Sequence, residues 1–197
     1  ITPIIMKLIS RKQLSLDQPI YHFLSDFTGG KKKNVTIRHL LTHSSGIKSY
    51  HRFFMEEQFT SREDVLNAII AMDLEFQPGS KFAYSDLGMI ILMEIVEIVT
   101  RRSLNDMTKI WLYKPLSMNS TIYKPEKVLL SKIVPTEFDS IYRKELIHGV
   151  VHDENTHLLG GVSSHAGLFS TSEDLANYAQ MLINNGTWLG KRIFKES

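Results

Sequence analysis

Leu158-Leu-Gly-Gly-Val-Ser-Ser-His-Ala-Gly-Leu-Phe-Ser-Thr171 is the stretch on which the reading of this chain turns. It carries a glycine pair, two serines, one histidine, a third glycine and then an apolar pair. A glycine inside a strand-like run marks close approach of a ligand or of another backbone. His165 places a polar group beside that point. Taken alone, His165-Ala166-Gly167 reads more simply as a turn histidine beside a tight bend, because glycine most often answers a backbone need.

A second candidate lies upstream, where Tyr84-Ser85-Asp86 opens the longest apolar run. A tyrosine at a loop-to-helix junction can project into a cleft, and the helix amides there favour anionic groups. A free phenol has a pKa of about 10, so it acts as a base only beside a cation. A lone tyrosine is more often a packing residue with a satisfied hydroxyl.

Working outward, the chain has 197 residues, a net charge of +2 and no cysteine. The length suits one domain, or one and a half. The charge creates no field that would recruit nucleic acid, and Lys31-Lys32-Lys33 reads as a solvated loop. Disulfides and thiolate metal sites are excluded. Ile1 to Ile9 lacks the basic region and small-residue cleavage site of a signal peptide. The apolar run Leu87 to Val99 is broken by Glu94 and Glu97, so it reads as a buried helix and not a membrane span.

Periodicity and caps place the other elements. Pro3 to Gln13 has Ile4, Ile5, Leu8 and Ile9 at helical spacing. Thr36 caps a short helix, residues 37 to 43, with Gly46 as its C-terminal cap. Ser61 and Asp64 form a capping-box start for a helix from Arg62 to Met72. The long buried helix runs from Ser85 to Arg101, and another from Leu104 to Leu112. Thr121 to Tyr123 reads as a short strand. Lys124 to Thr156 shows no period, the mark of a functional or mobile connection. Ser172 caps a helix from Glu173 to Asn184. Both ends read as cut: residues 1–197 are expected to be one partial domain, with the remainder of a larger polypeptide as partner.

Several stretches together resemble the serine β-lactamase and penicillin-binding-protein family. They are Thr36-Ile-Arg-His-Leu-Leu-Thr-His-Ser-Ser-Gly-Ile47, Phe76-Gln-Pro-Gly-Ser-Lys-Phe-Ala-Tyr-Ser-Asp86, Lys114-Pro-Leu-Ser-Met118, and Gly160-Gly161 through Ser172-Glu173-Asp174-Leu175. The resemblance covers essentially the whole chain in order. It implies an α/β (α+β) transpeptidase-like fold, of which this chain supplies mainly the helical subdomain and part of the sheet. It implies a serine hydrolase that opens an ester, amide or β-lactam carbonyl through an acyl-enzyme, on a small-molecule or peptide-like substrate and without a cofactor. It favours a periplasmic or exported location.

Carried onto this chain, the resemblance makes Tyr84 the acid–base residue. It makes His165 and Gly167 the third motif, and the Leu168 amide an oxyanion donor. Ser85, Asp86 and Ala166 become substrate-binding positions. The nucleophilic Ser-x-x-Lys would lie before Ile1, so the chain by itself is expected to be inactive. The internal match Ser45-Gly-Ile-Lys48 is a poor substitute, because Gly46 disfavours the helix such a pair needs. Asp86 stands where the family more often has Asn, and a carboxylate only accepts hydrogen bonds. His165 replaces a lysine and weakens the binding of a substrate carboxylate at neutral pH. Both departures favour an esterase or D-amino-acid peptidase over a true lactamase. A non-catalytic binding or structural module of the same fold is the alternative.

His148, His152, Asp153, Glu154 and His157 are residue types that bind zinc. No regular element fixes their geometry, and the resemblance brings a similar His-Asp-Glu-Asn loop without a metal. They read as a polar rim, and no metal site is expected.

Overall fold

The computed structural model of the protein describes residues 1–194. Helix α1 is Thr2–Ser10 and buries Ile4, Ile5 and Leu8, the stripe its spacing predicts. Helix α2, Ile37–Leu41, begins with a capping box in which the Thr36 hydroxyl accepts from the His39 amide and the His39 ring accepts from the Thr36 amide. It is shorter than its expected span. The left-handed residue that ends it is His43 (φ 51), not Gly46. Gly46 has another duty: a Cβ there would stand 2.3 Å from the Phe76 carbonyl oxygen. Glycine is required where these two loops touch.

Helix α3, Arg62–Ala71, has the expected Ser61–Asp64 capping box. Its C-terminus explains the lysine run. Lys32 is buried, and its ammonium donates to the carbonyls of Ile70 at 2.8 Å and Ala71 at 3.3 Å. A cation there satisfies free carbonyls at the negative end of the helix dipole. Lys32 is therefore an anchor and not part of a solvated loop.

Helix α4, Asp86–Thr100, is the centre of the molecule. Leu87 through Met93, Ile95 and Val96 are all buried, so it is apolar nearly all round. It packs against α2, α3 and a following helix, α5, Leu104–Thr108. Glu94 and Glu97 are not stray charges. Arg62 of α3 bridges them at 2.6 and 2.8 Å, and Glu97 also accepts from the Leu104 amide. The helix expected to reach Leu112 changes pitch instead. A π turn covers Lys109–Tyr113, and Leu112 and Tyr113 join a second apolar cluster with Leu116, Met118 and Met181.

Strand β1 is Ile122–Tyr123, close to its expected place. The segment after it is ordered, contrary to the absence of any period. It holds a 3-10 turn, Lys127–Lys132, then strands β2, Phe138–Asp139, and β3, Glu145–Leu146, then helix α6, Glu154–Leu158. Strands β2 and β3 pair as an antiparallel hairpin. Inside its turn the buried Asp139 carboxylate accepts from the amides of Ile141, Tyr142 and Arg143 and from the Arg143 guanidinium. The same guanidinium donates to the carbonyls of Val151 and His152, tying the hairpin to the chain entering α6. Amide donors from Tyr142 and Arg143, against a smaller effect of burial, hold the Asp139 carboxyl well below the ordinary carboxylate range.

Strand β4, Leu168–Phe169, returns antiparallel to β1, with Tyr123 opposite Leu168 and Ile122 opposite Phe169. Helix α7 is Ser172–Ile183, capped by Thr171 rather than Ser172. Its Asp174 is buried and accepts from the Ser120 amide and the Thr121 hydroxyl, which locks α7 to the start of β1. A last hairpin joins β5, Thr187–Trp188, to β6, Lys191–Arg192. No helix among the described residues is long and apolar enough to cross a membrane.

Candidate active site

Tyr84 sits at the loop-to-helix junction before α4 and is 54% exposed. Ser85 behind it is the N-cap: its hydroxyl accepts from the Gly88 amide and donates to the Lys48 carbonyl. With 1% exposure and both capacities used, Ser85 is a structural cap, which corrects its expected substrate contact. Asp86 is the first residue of α4, half-buried, its amide bonded to the Ser49 carbonyl.

The Tyr84 phenol is pushed above its ordinary pKa, by partial burial first and then by the Asp86 carboxylate and the more distant Asp153. Tyr50 is raised as well, by burial and then by Glu154, Asp153 and Asp86. Two tyrosines thus face carboxylates from the N-termini of α4 and α6. The charges acting on Tyr84 are both negative, so in this setting it stays a phenol and donates.

Asp153 links Tyr84 to the other candidate motif. It caps α6 by accepting from the Thr156 amide at 2.6 Å, and it lies 3.2 Å from His165 Nε2. Burial pushes its carboxyl up, but the hydrogen bonds from His165 and Thr156 more than offset this and hold it below the ordinary value. Because a carboxylate only accepts, Nε2 carries the imidazole proton. Nδ1 then accepts from the Ser163 hydroxyl at 2.8 Å. Thr156 Oγ1 is also within 3.1 Å of Nε2.

The His165 side chain is only 3% exposed. Its residue borders the depression described below, but the ring itself is largely enclosed. It is a hub joining α6 to the turn before β4. The reason is the length of the turn: Ser163, two residues back, and Asp153 on α6 close over both ring nitrogens.

Gly167 has φ +108, and a Cβ there would meet the Gly161 carbonyl at 2.9 Å and Tyr123 at 3.2 Å. The glycine answers a real crowding. Tyr123 donates its hydroxyl to the Ser163 carbonyl, and burial pushes its phenol well up. Ser164 donates to the Met89 carbonyl on the first turn of α4. Ala166, Gly167 and the exposed Leu168 line a depression of about 270 Å³ with Tyr123 and residues 163–165. Tyr84 lies outside that depression. The two motifs are drawn to the same end of α4 and share Asp153.

Ser45 is buried in a loop, its hydroxyl accepting from the Ile47 amide, so it is not a helix-borne nucleophile. The histidine-rich stretch is dispersed. His148 bonds the carbonyls of Leu130 and Ile133, and His152 pairs with Glu137. No three metal-ligating groups converge among the described residues. The residues that sequence reasoning missed are His43, Tyr50 and Thr156; Asp153 was named there only as part of a polar rim, without its link to His165.

The profile of the family described as Beta-lactamase matches residues 3–195. The chain belongs to the beta-lactamase family. It is 29% identical to the N-acetylmuramyl-L-alanine amidase of Bacillus subtilis strain 168, over 98% of this chain and 49% of that protein. It is 32% identical to an Escherichia coli O157:H7 protein provisionally named D-alanyl-D-alanine carboxypeptidase, over 96% of this chain and 49% of that one. Among solved structures, a class C beta-lactamase superimposes with a TM-score of 0.76 at 19% identity, over 97% of this chain and 49% of the other. The chain therefore has the mixed α/β beta-lactamase fold and spans about half the length of the relatives it matches. Its relatives by name are hydrolases.

Proposed function

We propose that the whole protein is a serine hydrolase that opens an ester or a D-amino-acid amide through an acyl-enzyme, with Tyr84 as its acid–base residue. The observation that carries this is Tyr84 itself: a half-exposed phenol that immediately precedes the buried N-cap Ser85, at the positive end of the most buried helix. In this reading a serine and a lysine reach Tyr84 from a segment outside the present residues. The lysine ammonium offsets Asp86 and Asp153 and lowers the phenol's pKa. The serine oxygen attacks the substrate carbonyl as its proton passes toward the lysine–tyrosine pair. The leaving alkoxide or amine takes a proton back from the phenol as the carbonyl–leaving-group bond breaks. Water then releases the acyl group by the reverse relay.

Asp86 supports a substrate that offers a donor there, an N–H or an ammonium, rather than an amide carbonyl. The names of the relatives, an N-acetylmuramyl-L-alanine amidase and a D-alanyl-D-alanine carboxypeptidase, support an amide beside alanine. Leu168 and Ala166 remain the proposed wall for the acyl group, with the Leu168 amide as oxyanion donor. His165 is proposed to hold that wall and not to touch substrate.

The test is covalent labelling of the full-length protein by a fluorophosphonate, located by mass, with turnover of 4-nitrophenyl acetate and of a D-alanyl anilide. One label on a serine before Ile1 is expected, and Tyr84→Phe should lower kcat by about 10²-fold with little change in KM. The chain of residues 1–197 alone should take no label. Stoichiometric labelling of it would return the nucleophile to Ser45. A full-length protein that takes no label and turns over neither substrate would favour the non-catalytic module.

A further inference from the structure

His43 touches three successive residues around Tyr84. Its carbonyl accepts from the Ala83 amide at 2.9 Å, and its ring nitrogen Nδ1 accepts from the Ser85 amide at 3.2 Å. Between these bonds the His43 ring lies against the Tyr84 ring, centroids 4.5 Å apart and planes 34° from parallel, while Phe82 meets it edge-on at 6.0 Å. The residue stands in the left-handed region at φ 51, a conformation that costs energy for any residue with a Cβ. It persists because the tertiary bonds over-determine it. The turn after α2 is thus bent specifically to put an imidazole under the phenol.

We propose that His43 is the positioning residue for Tyr84, and that it works only as the neutral tautomer with its proton on Nε2. The inference rests on the acid–base reading of Tyr84. The physical reason is directional. A backbone amide donates, so Nδ1 must present its lone pair. A proton on Nδ1 turns it toward the Ser85 N–H donor to donor, and the bond is lost. Of the two backbone bonds that hold His43 to residues 83–85, only the one from the Ala83 amide then remains, and the imidazole is no longer fixed under the phenol.

The ionisable groups facing His43 are the Tyr84 phenol and the Asp86 carboxylate. Partial burial lowers the imidazole pKa below its ordinary value, and Asp86 opposes this more weakly. A histidine with a lowered folded pKa stabilises the fold at and above neutral pH. That contribution is lost as pH falls through the lowered folded value. Tyr84 is therefore in register across the neutral and alkaline range and is released in acid.

The experiment uses the full-length protein with two substitutions that separate ring from acceptor. His43→Asn keeps a side-chain acceptor for the Ser85 amide and tolerates the left-handed conformation, but removes the titration. His43→Phe keeps the stacked ring and removes the acceptor. Turnover of 4-nitrophenyl acetate is followed from pH 5 to pH 9. Alongside it, the Tyr84 ring is read by NMR in the tyrosine-labelled full-length protein, assigned with Tyr84→Phe.

At pH 8, kcat should fall by about 10- to 100-fold in His43→Phe, the scale of a misplaced reacting group, and KM should hold. His43→Asn should keep kcat within about threefold and lose the acid limb contributed by the imidazole. The Tyr84 signal of the native chain should shift with the His43 titration and stay flat in His43→Asn. Native-like turnover in His43→Phe, or a Tyr84 signal indifferent to the His43 titration, overturns the positioning role. If instead Tyr84→Phe turns over normally, it is the acid–base reading that has failed. The NMR coupling still decides whether His43 holds the ring.

Discussion

Helix α4 and the segment from Lys124 to Gly167 are held by opposite means. In α4 nine consecutive or near-consecutive residues are buried, and the polar exceptions, Glu94 and Glu97, are met by one guanidinium from α3. In the later segment the ties are hydrogen bonds to buried polar groups: Asp139 with Arg143, Asp153 with Thr156 and His165, Ser163 with His165, Tyr123 with the Ser163 carbonyl. Apolar burial is non-directional and tolerates relaxation. Buried polar networks hold one geometry and fail sharply when a member is removed. The candidate site lies where the two meet, with Tyr84 mounted on the apolar helix and Asp153 on the polar segment.

The contrast is broken most forcefully from the apolar side. Leu92→Ala should lower the unfolding free energy of the whole chain by about 2–5 kcal/mol, the transfer and cavity cost of a fully buried leucine. Urea unfolding followed by circular dichroism measures it, and a loss too small to resolve would mean that α4 is not the common core. From the polar side, His165→Ala takes the ring partner from the Ser163 hydroxyl and leaves Asp153 with the Thr156 amide alone. It should cost about 1–3 kcal/mol, the penalty for unsatisfied buried groups. Its signature is local: amide exchange rises in α6 and residues 161–168, while the centre of α4 keeps its protection. Uniform exchange would erase the distinction between the two regions.

The legibility of the sequence follows the same division. Helices α1, α3 and α4 were readable because apolar spacing and caps such as Ser61–Asp64 are periodic or local signals. The hairpin at 138–146 was not, because Asp139 acts through four donors without any periodic pattern and Phe138 and Leu146 point to solvent. At the site, Tyr84, Gly167 and the junction before α4 were readable as motif positions. The burial of His165 was not, since nothing in Ser163-Ser-His165 says that Asp153 will cover its other nitrogen. The role of Lys32 was hidden for a similar reason, its partners being backbone carbonyls nearly forty residues away.

Two smaller effects sharpen the comparison. Lys32→Met keeps the aliphatic stem but frees the carbonyls at the end of α3. It should cost about 1 kcal/mol, read as a shift in thermal midpoint that salt does not mimic. Acid acts on the polar segment through two of its carboxyls. The Asp139 and Asp153 carboxyls are both held below their ordinary value, so their stabilisation is complete above pH about 4 and is lost as pH falls through the lowered values. Between pH 4 and pH 2, hydrogen exchange should open residues 138–165 before α4. Simultaneous opening of both would count against the assignment.

The pairing of β1 with β4 also sets an order of events in time. Ile122 and Phe169 are register partners from the two ends of the polar segment, so their ladder closes only after the chain between them has come together. The contacts of α4 with α3 and α5 need much shorter loops and can form early. The Gly167 turn, crowded against Tyr123 and the Gly161 carbonyl, is then among the last pieces to set. A nascent chain would hold a finished helical core while the wall of its candidate site is still unmade. During that interval Ile122, Tyr123 and Phe169 would be open to mispairing with another copy of the same edge.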